Sequence, residues 1–296
     1  FSSYTFTGVQ LASDDNMLPN SQLGFAPTVR GIANSSAIVT IRQNGYVIYQ
    51  SNVPAGAFEI NDLYPSSNSG DLEVTIEESD GTQRRFIQPY SSLPMMQRPG
   101  HLKYSATAGR YRADANSDSK EPEFAEATAI YGLNNTFTLY GGLLGSEDYY
   151  ALGIGIGGTL GALGALSMDI NRADTQFDNQ HSFHGYQWRT QYIKDIPETN
   201  TNIAVSYYRY TNDGYFSFNE ANTRNWDYNS RQKSEIQFNI SQTIFDGVSL
   251  YASGSQQDYW GNNDKNRNIS VGVSGQQWGV GYSPVSYTHL RAHETG

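Results

Sequence analysis

The residues of this chain whose types and spacing could do chemistry are few. Residues 153–158 read GIGIGG, a run with the texture of a phosphate loop. A phosphate cradle opens a helix after a buried strand, whereas these glycines alternate with Leu152, Ile154 and Ile156 in the period of a strand. Small residues facing a lumen or a close neighbouring strand account for them better. His181 and His184 form an HxxH pair in a polar stretch, and His289 and His293 stand at helical spacing near the C-terminal end. Neither pair has a third ligand nearby, and a zinc site needs more than two. Glu77 and Glu78 are adjacent, so in a strand they point to opposite faces and cannot flank one glycosidic bond; a carboxylate pair assembled from distant residues stays open. The absence of cysteine excludes disulfides, zinc–thiolate sites and thiol catalysis. No nucleophile elbow and no Ser/His/Asp arrangement stands out. The sequence nominates no catalytic, cofactor-binding or metal-binding residue, and it does not read as an enzyme.

Composition points to β-structure. The 296 residues include 22 Tyr and 29 Gly, and only 16% are charged, a balance that favours strands over helices. A net charge of −10 argues against nucleic acid as a partner, because phosphate binding needs a basic surface. The longest apolar runs fall far short of the ~18 residues of a membrane helix. A transmembrane barrel stays compatible, since amphipathic strands leave the average hydropathy low.

Four stretches differ in texture. Residues 1–27 open in mid-pattern with the alternating FSSYTFTGVQL, read as one strand and its exit, with a preceding portion expected. Residues 28–93 read as a small domain. Asn44-Gly45 lies between two β-rich stretches and is the strongest short hairpin signal, since a type I′ turn needs positive φ at both central residues. Pro54 and Gly56 break one strand before Phe58, Ile60 and Leu63 begin another. Leu72, Val74 and Ile76 share a face ahead of a turn at Asp80-Gly81, and Phe86 lies on the return strand. Such short strands with hairpin connections predict a two-sheet sandwich, bounded by Pro27 and by SLPMMQRPG, which reads as a linker. Residues 94–285 form a long array of alternating segments. The last stretch, residues 286–296 (SYTHLRAHETG), abandons alternation and is set aside as a non-native tail.

Within the array, Leu102, Tyr104, Ala106 and Ala108 oppose Lys103, Ser105 and Thr107; Ile203, Val205 and Tyr207 oppose Asn202, Ala204 and Ser206; and Ile236, Phe238 and Ile240 oppose Gln237, Asn239 and Ser241. Most segments run to about 9–13 residues, the length that crosses a bilayer at a tilt. Alternation alone does not say which face meets water. In an outer-membrane barrel the apolar face meets lipid and the polar face lines the lumen. In a soluble secreted β-sandwich, an adhesin or a carbohydrate-active protein, the apolar face is buried between sheets. Three features favour the barrel: aromatic residues crowd the segment ends, the apolar stripes carry few charges, and no partner sheet or packing helix is evident.

Longer strings are more specific. SSYTFTGVQLASDDNMLPNSQLGFAPTVRGIA, QNGYVIYQSNVPAGAFEINDLYP, GDLEVTIEESDGT and PYSSLPMMQRPGHLKYSATAGRYR together resemble the fimbrial outer-membrane ushers, densely from Phe1 to about residue 112 and more loosely to about residue 281. The resemblance implies an all-β fold, part of a large antiparallel transmembrane β-barrel with an inserted small β-sandwich plug domain at residues 28–93. It implies the outer membrane of a Gram-negative bacterium and a pore for pilus subunit assembly and secretion by the chaperone–usher route. No ATP drives transport in such systems; one subunit's strand replaces the chaperone's. Partners would be pilus subunits, periplasmic chaperone–subunit complexes and outer-membrane lipid, with a homodimer also admitted; no cofactor is implied. Asn44, Gly45, Pro54, Gly56, Phe58, Asn61, Asp62, Leu63, Gly70 and Asp71 match the family's plug pattern, and Ala55 departs from it where a second proline is common. Pro19, Pro27, Pro94 and Gly100 would lie at the plug's hinges. A short loop helix that holds the plug would fall in DGYFSFNEANT, with Tyr215, Phe216 and Phe218 as its contact residues.

Overall fold

The computed structural model describes residues 4–17, 26, 28–43, 45–63, 72–88, 95–113, 119–177, 181–223, 231–245, 248–261, 265–277, 280–282 and 285–292. The chain opens with β1 (Thr5–Ala12), and six short strands follow: β2 (Val29–Ala33), β3 (Ala37–Gln43), β4 (Tyr46–Val53), β5 (Gly56–Ile60), β6 (Leu72–Glu78) and β7 (Gln83–Gln88). Long strands then run in sequence: β8 (Leu102–Arg112), β9 (Glu123–Gly132), β10 (Phe137–Ser146), β11 (Tyr149–Thr159), β12 (Ala165–Gln176), β13 (Ser182–Ile196) and β14 (Thr201–Tyr210). After the short helix α1 (Phe218–Asn222) come β15 (Gln232–Phe245), β16 (Val248–Tyr259), β17 (Lys265–Gln277), β18 (Val280–Tyr282) and β19 (Val285–Ala292).

The long strands build one antiparallel sheet in which β1 pairs with β8 and each later strand with the next through β18. Thr5 stands opposite Arg112 and Ala12 opposite Ser105. The six short strands are therefore inserted between two neighbouring strands of a single sheet. Period-two alternation sorts the long strands' side chains onto two faces. One face carries Val9, Leu11, Leu139, Leu143, Leu152, Ile156, Trp188, Ile236, Ile269 and Val271, all exposed, with Ile154 at 66%. The opposite face carries Thr107, Thr138, Ser167 and Asp169, all buried. Among the described residues no second sheet covers the apolar face. A soluble sandwich would bury those side chains, each worth ~1.5–3 kcal/mol, so the exposed apolar face does not support the soluble alternative.

The inserted domain packs two sheets, β2-β5 and β4-β3-β6-β7. Val29, Val39, Ile41, Leu63, Leu72, Val74 and Ile76 are all at most 2% exposed and make its core, with Phe58 and Ile60 beside them. The Phe58 ring occupies the space over Gly31, where a Cβ would come within 2.5 Å of Phe58 Cζ. Gly45, at φ +84°, lies in the β3–β4 turn; Asn44 lies outside the described residues. Glu77 and Glu78 do point oppositely: Glu77 is exposed and accepts from Gln83, while the Glu78 side chain is 4% exposed.

Two stretches read as irregular in sequence are ordered in the structure. Most of the stretch set aside at residues 286–296 lies in β19, which pairs with β17 from Val285 opposite Gly272 to Ala292 opposite Lys265. An available strand edge takes up this segment, so His289 sits in a strand, without the helical spacing to His293, which lies outside the described residues. The stretch SLPMMQRPG is not a free linker: Met96 and Gln97 are 2% and 6% exposed, because the sheet's inner face offers them both an apolar seat and a hydroxyl partner.

Candidate functional site

The inner face, polar and facing the inserted sandwich, is where the arrangement can act. Strand register aligns rows of residues across it. One row runs Ile130, Tyr140, Gly155, Asp169, Arg189, Tyr208 and Glu235; the next runs Thr128, Gly142, Gly153, Asn171, Gln187 and Tyr210. The glycines of the GIGIGG run are the gaps over which neighbours reach. The Tyr140 ring crosses Gly155, where a Cβ would lie 2.4 Å from it, and donates its hydroxyl to Asp169 Oδ2 at 2.8 Å. Asn171 fills the space over Gly153 and donates to Asp169 Oδ1 at 3.0 Å, while Arg189 Nε donates to Asp169 Oδ2 at 2.8 Å. The buried Asp169 carboxylate is thus charge-paired and accepts on both oxygens, as a desolvated charge requires. These groups line a cavity of about 530 Å³ with Gln187, Tyr208, Tyr210 and Tyr215. Its chemistry is that of a polar, hydrogen-bonding wall. Among the described residues no cluster of His, Asp and Glu is arranged to hold a metal ion.

Residues 95–98 join the sandwich to this wall. Met95 and Met96 pack with Ala165 and Ile193 of the wall and with the sandwich core, Met96 Sδ lying against the face of Gly157. The Gln97 amide donates to Thr138 Oγ1 at 3.0 Å. Arg98 donates to the Asn61 carbonyl at 3.1 Å and to the Leu63 carbonyl, so one guanidinium grips two carbonyls of the sandwich. Its own backbone lies on Gly132, where a Cβ would come 1.9 Å from the Arg98 carbonyl oxygen. Gly100, at φ +75°, turns the chain into β8, its amide donating to the Gly132 carbonyl at 2.7 Å.

The expected site residues divide accordingly. Asn61 and Leu63 supply the carbonyls held by Arg98, with Asp62 exposed between them; Phe58 is core; Pro54 and Gly56 are exposed at the β4–β5 turn, Gly56 at φ +117°. Asn44, Gly70, Asp71, Pro19, Pro27 and Pro94 lie outside the described residues. Sequence reasoning missed Arg98, Met96 and Thr138; two consecutive methionines inside a proline-bounded polar stretch were the available signal. It also missed the clamp at Glu78. That carboxylate accepts from the Asn34 amide at 3.0 Å, the Ser35 hydroxyl at 2.7 Å and amide at 2.9 Å, and Arg84 at 2.8 Å. The Asn34 amide first, then Ser35 and Arg84, hold its pKa down to about 2.

The loop between β14 and β15 forms α1, capped by Ser217 and Glu220, each side chain bonding the other's backbone amide. Phe218 is the hub of an aromatic cluster, with ring centroids 5.2 Å from Tyr4, 5.4 Å from Tyr111, 5.5 Å from Phe124 and 5.3 Å from Tyr149. Phe216 packs on Phe177 and Phe183 under the Arg231 guanidinium, and its carbonyl accepts from the Tyr149 hydroxyl at 3.0 Å. Tyr215 and Phe218 belong to the wall's aromatic cluster, which is separate from the one that seats the sandwich. The helix residues are therefore brought together with the wall.

An antiparallel sheet of bilayer-length strands, apolar and exposed on one face, polar on the other, with a small sandwich inserted between adjacent strands, defines a segment of an outer-membrane β-barrel with an internal domain. The family model for outer membrane usher proteins matches residues 1–295, and the chain belongs to that family. It is 97% identical over 291 residues to the outer membrane usher protein YraJ of Escherichia coli K12, covering 98% of this chain and 35% of that protein. It is 42% identical over 311 residues to FimD of the same strain, covering 96% of this chain and 35% of FimD. Among solved structures, the P pilus usher PapC in a tip assembly intermediate with PapD, PapK and PapG superposes with a TM-score of 0.71 at 33% identity, covering 99% of this chain and 37% of that one. The PapC translocation pore gives 0.61 at 33% identity, over 98% of this chain and 59% of that chain. The chain thus spans about a third of the length of the curated relatives it matches.

Proposed function

We propose that this chain is the central wall segment of a pilus-assembly usher pore, with residues 28–93 acting as its plug. The observation that carries the reading is the insertion of a sandwich between paired strands β1 and β8, anchored on the polar face of a sheet whose other face is apolar and exposed. The polar face would line the passage for pilus subunits delivered as chaperone–subunit complexes, and the apolar face would meet outer-membrane lipid. Opening is then a rigid-body displacement of the plug. The exit stretch at residues 95–98 acts as a strap that must let go, and Gly100 and the connection at residues 20–27 act as pivots. The aromatic seat of α1 would stiffen the wall on which the plug rests.

A photo-crosslinking residue placed in the full-length usher distinguishes the faces. At Gln237 or Asn239 it should capture a pilus subunit during secretion; at Ile154 or Ile236 it should capture none. Capture at the apolar positions, or at neither set, would contradict the lumenal assignment.

A further inference from the structure

The chain is acidic overall, yet its exposed apolar face ends in a basic cluster. Arg209 near the end of β14 stands in register with Ser234 of β15, Asp258 of β16 and Lys265 at the start of β17. The adjacent row on the same face, two residues further in, runs Tyr207, Ile236, Gln256 and Arg267. A register shift between Gln232 and Ser234 brings in a fourth cation, Lys233, whose Nζ lies 4.9 Å from the Trp260 ring centroid; the Arg209 guanidinium lies 5.9 Å from the same ring. Among the described residues none of the four cations has an ion-pair partner. Arg267 donates to Gln256 at 2.9 Å, and the one carboxylate of the cluster, Asp258, accepts from the neutral Gln256 and Ser234. Lys265 and Arg267 are exposed. The cluster spans three strand spacings of ~4.8 Å, wide enough to meet more than one phosphate group.

The loops indicate the leaflet. At the cluster's end of the sheet the strands are joined through residues 113–122, 147–148, 177–181, 211–231 and 260–264; at the opposite end through residues 133–136, 160–164, 197–200 and 246–247. Barrels place their short turns toward the periplasm and their longer loops outside. Cations flanking an interfacial tryptophan, on the lipid-facing surface at the external end, meet the headgroups of the outer leaflet. Guanidinium and ammonium groups beside an indole suit phosphate on an apolar anchor.

We propose that Arg209, Lys233, Lys265 and Arg267 form a docking site for the phosphate groups of an anionic glycolipid of the outer leaflet. The site rests on the lipid-facing reading of the apolar face and is independent of what crosses the lumen.

The test uses the full-length usher, delipidated in detergent and titrated by native mass spectrometry with bisphosphorylated lipid A, its dephosphorylated form, and phosphatidylglycerol. The parent protein should retain bisphosphorylated lipid A in preference to the other two. The R209Q/K233Q/K265Q/R267Q variant should bind it about tenfold more weakly or worse, while K103Q on the inner face leaves binding unchanged. If the fourfold variant does not fold, judged by heat-modifiable mobility, K265Q and R267Q alone should each weaken binding measurably, and R209K/R267K should preserve it. Equal binding by parent and glutamine variants, or equal affinity for the dephosphorylated lipid or for phosphatidylglycerol, would overturn the proposal. Failure of the parent usher to support subunit secretion, with its lipid A binding intact, would count against the translocation reading alone.

Discussion

In the proposed pore, Arg98 is the residue that would hold the inserted domain in its resting position. Its hydrogen bonds to the Asn61 and Leu63 carbonyls are charge-assisted, and the side chain is partly exposed, so its loss should cost on the order of 1–2 kcal/mol of docking. Arg98→Ala should raise the frequency of spontaneous openings about 5–30-fold in planar-bilayer recordings while leaving the unfolding temperature of the plug itself nearly unchanged; an unaltered opening frequency would remove Arg98 from the latch. Glu78 acts on stability instead. Its folded-state pKa is held down to about 2, below the ordinary carboxylate value, so the stability it contributes is present above the unfolded pKa and is lost as pH falls through the folded one. The plug should therefore soften between about pH 4.5 and pH 2, read by hydrogen exchange of β6 and β7, and Glu78→Gln should flatten that dependence. Neither residue was legible in the sequence. Arg98 finds its partners 35 and 37 positions away, and Glu78 its amides 43 and 44 away; nothing local marks such pairings.

The strands were far more legible, because period two is a local property and each segment carries its own record of which residues share a face. Leu152, Ile154 and Ile156 are on the exposed side, as alternation with the glycines predicts. The glycines were only half legible: their facing was readable, but the Tyr140 ring and Asn171 side chain that fill their space come from the strands on either side. That changes which substitution makes a fair comparison. Ile154→Arg at the middle of β11 should impair membrane insertion by ~2–4 kcal/mol, but arginine at Gly155 would collide with Tyr140 and is no control. Asn239, exposed on the inner face of β15, is the appropriate site. Heat-modifiability in outer-membrane fractions should show Asn239→Arg folded and Ile154→Arg depleted; equal depletion would refute the assignment of faces. At α1, the Ser217/Glu220 capping box and the Phe218 hub predict that Ser217→Ala loosens the helix by about 0.5–2 kcal/mol, detectable as faster exchange of the Ala221 amide.

For the whole molecule, the insertion joins strand pattern to function. β1 and β8 are neighbours in the sheet although the sandwich separates them in sequence, so the domain is tethered at both ends to adjacent points of the wall. Its existence and its two-sheet form were readable from hairpin signals. Its seat was not, because the buried Met96 and Gln97 sit in a stretch whose prolines and polar residues read as an open linker. In the proposed pore this domain occupies a passage bounded by the polar face. Conductance of the full-length usher in planar bilayers, with and without residues 28–93, tests that most directly. The intact protein should stay mostly closed, and the deletion should give a large, persistently open conductance. Equal conductance from the two proteins, with both shown to be inserted, would contradict it.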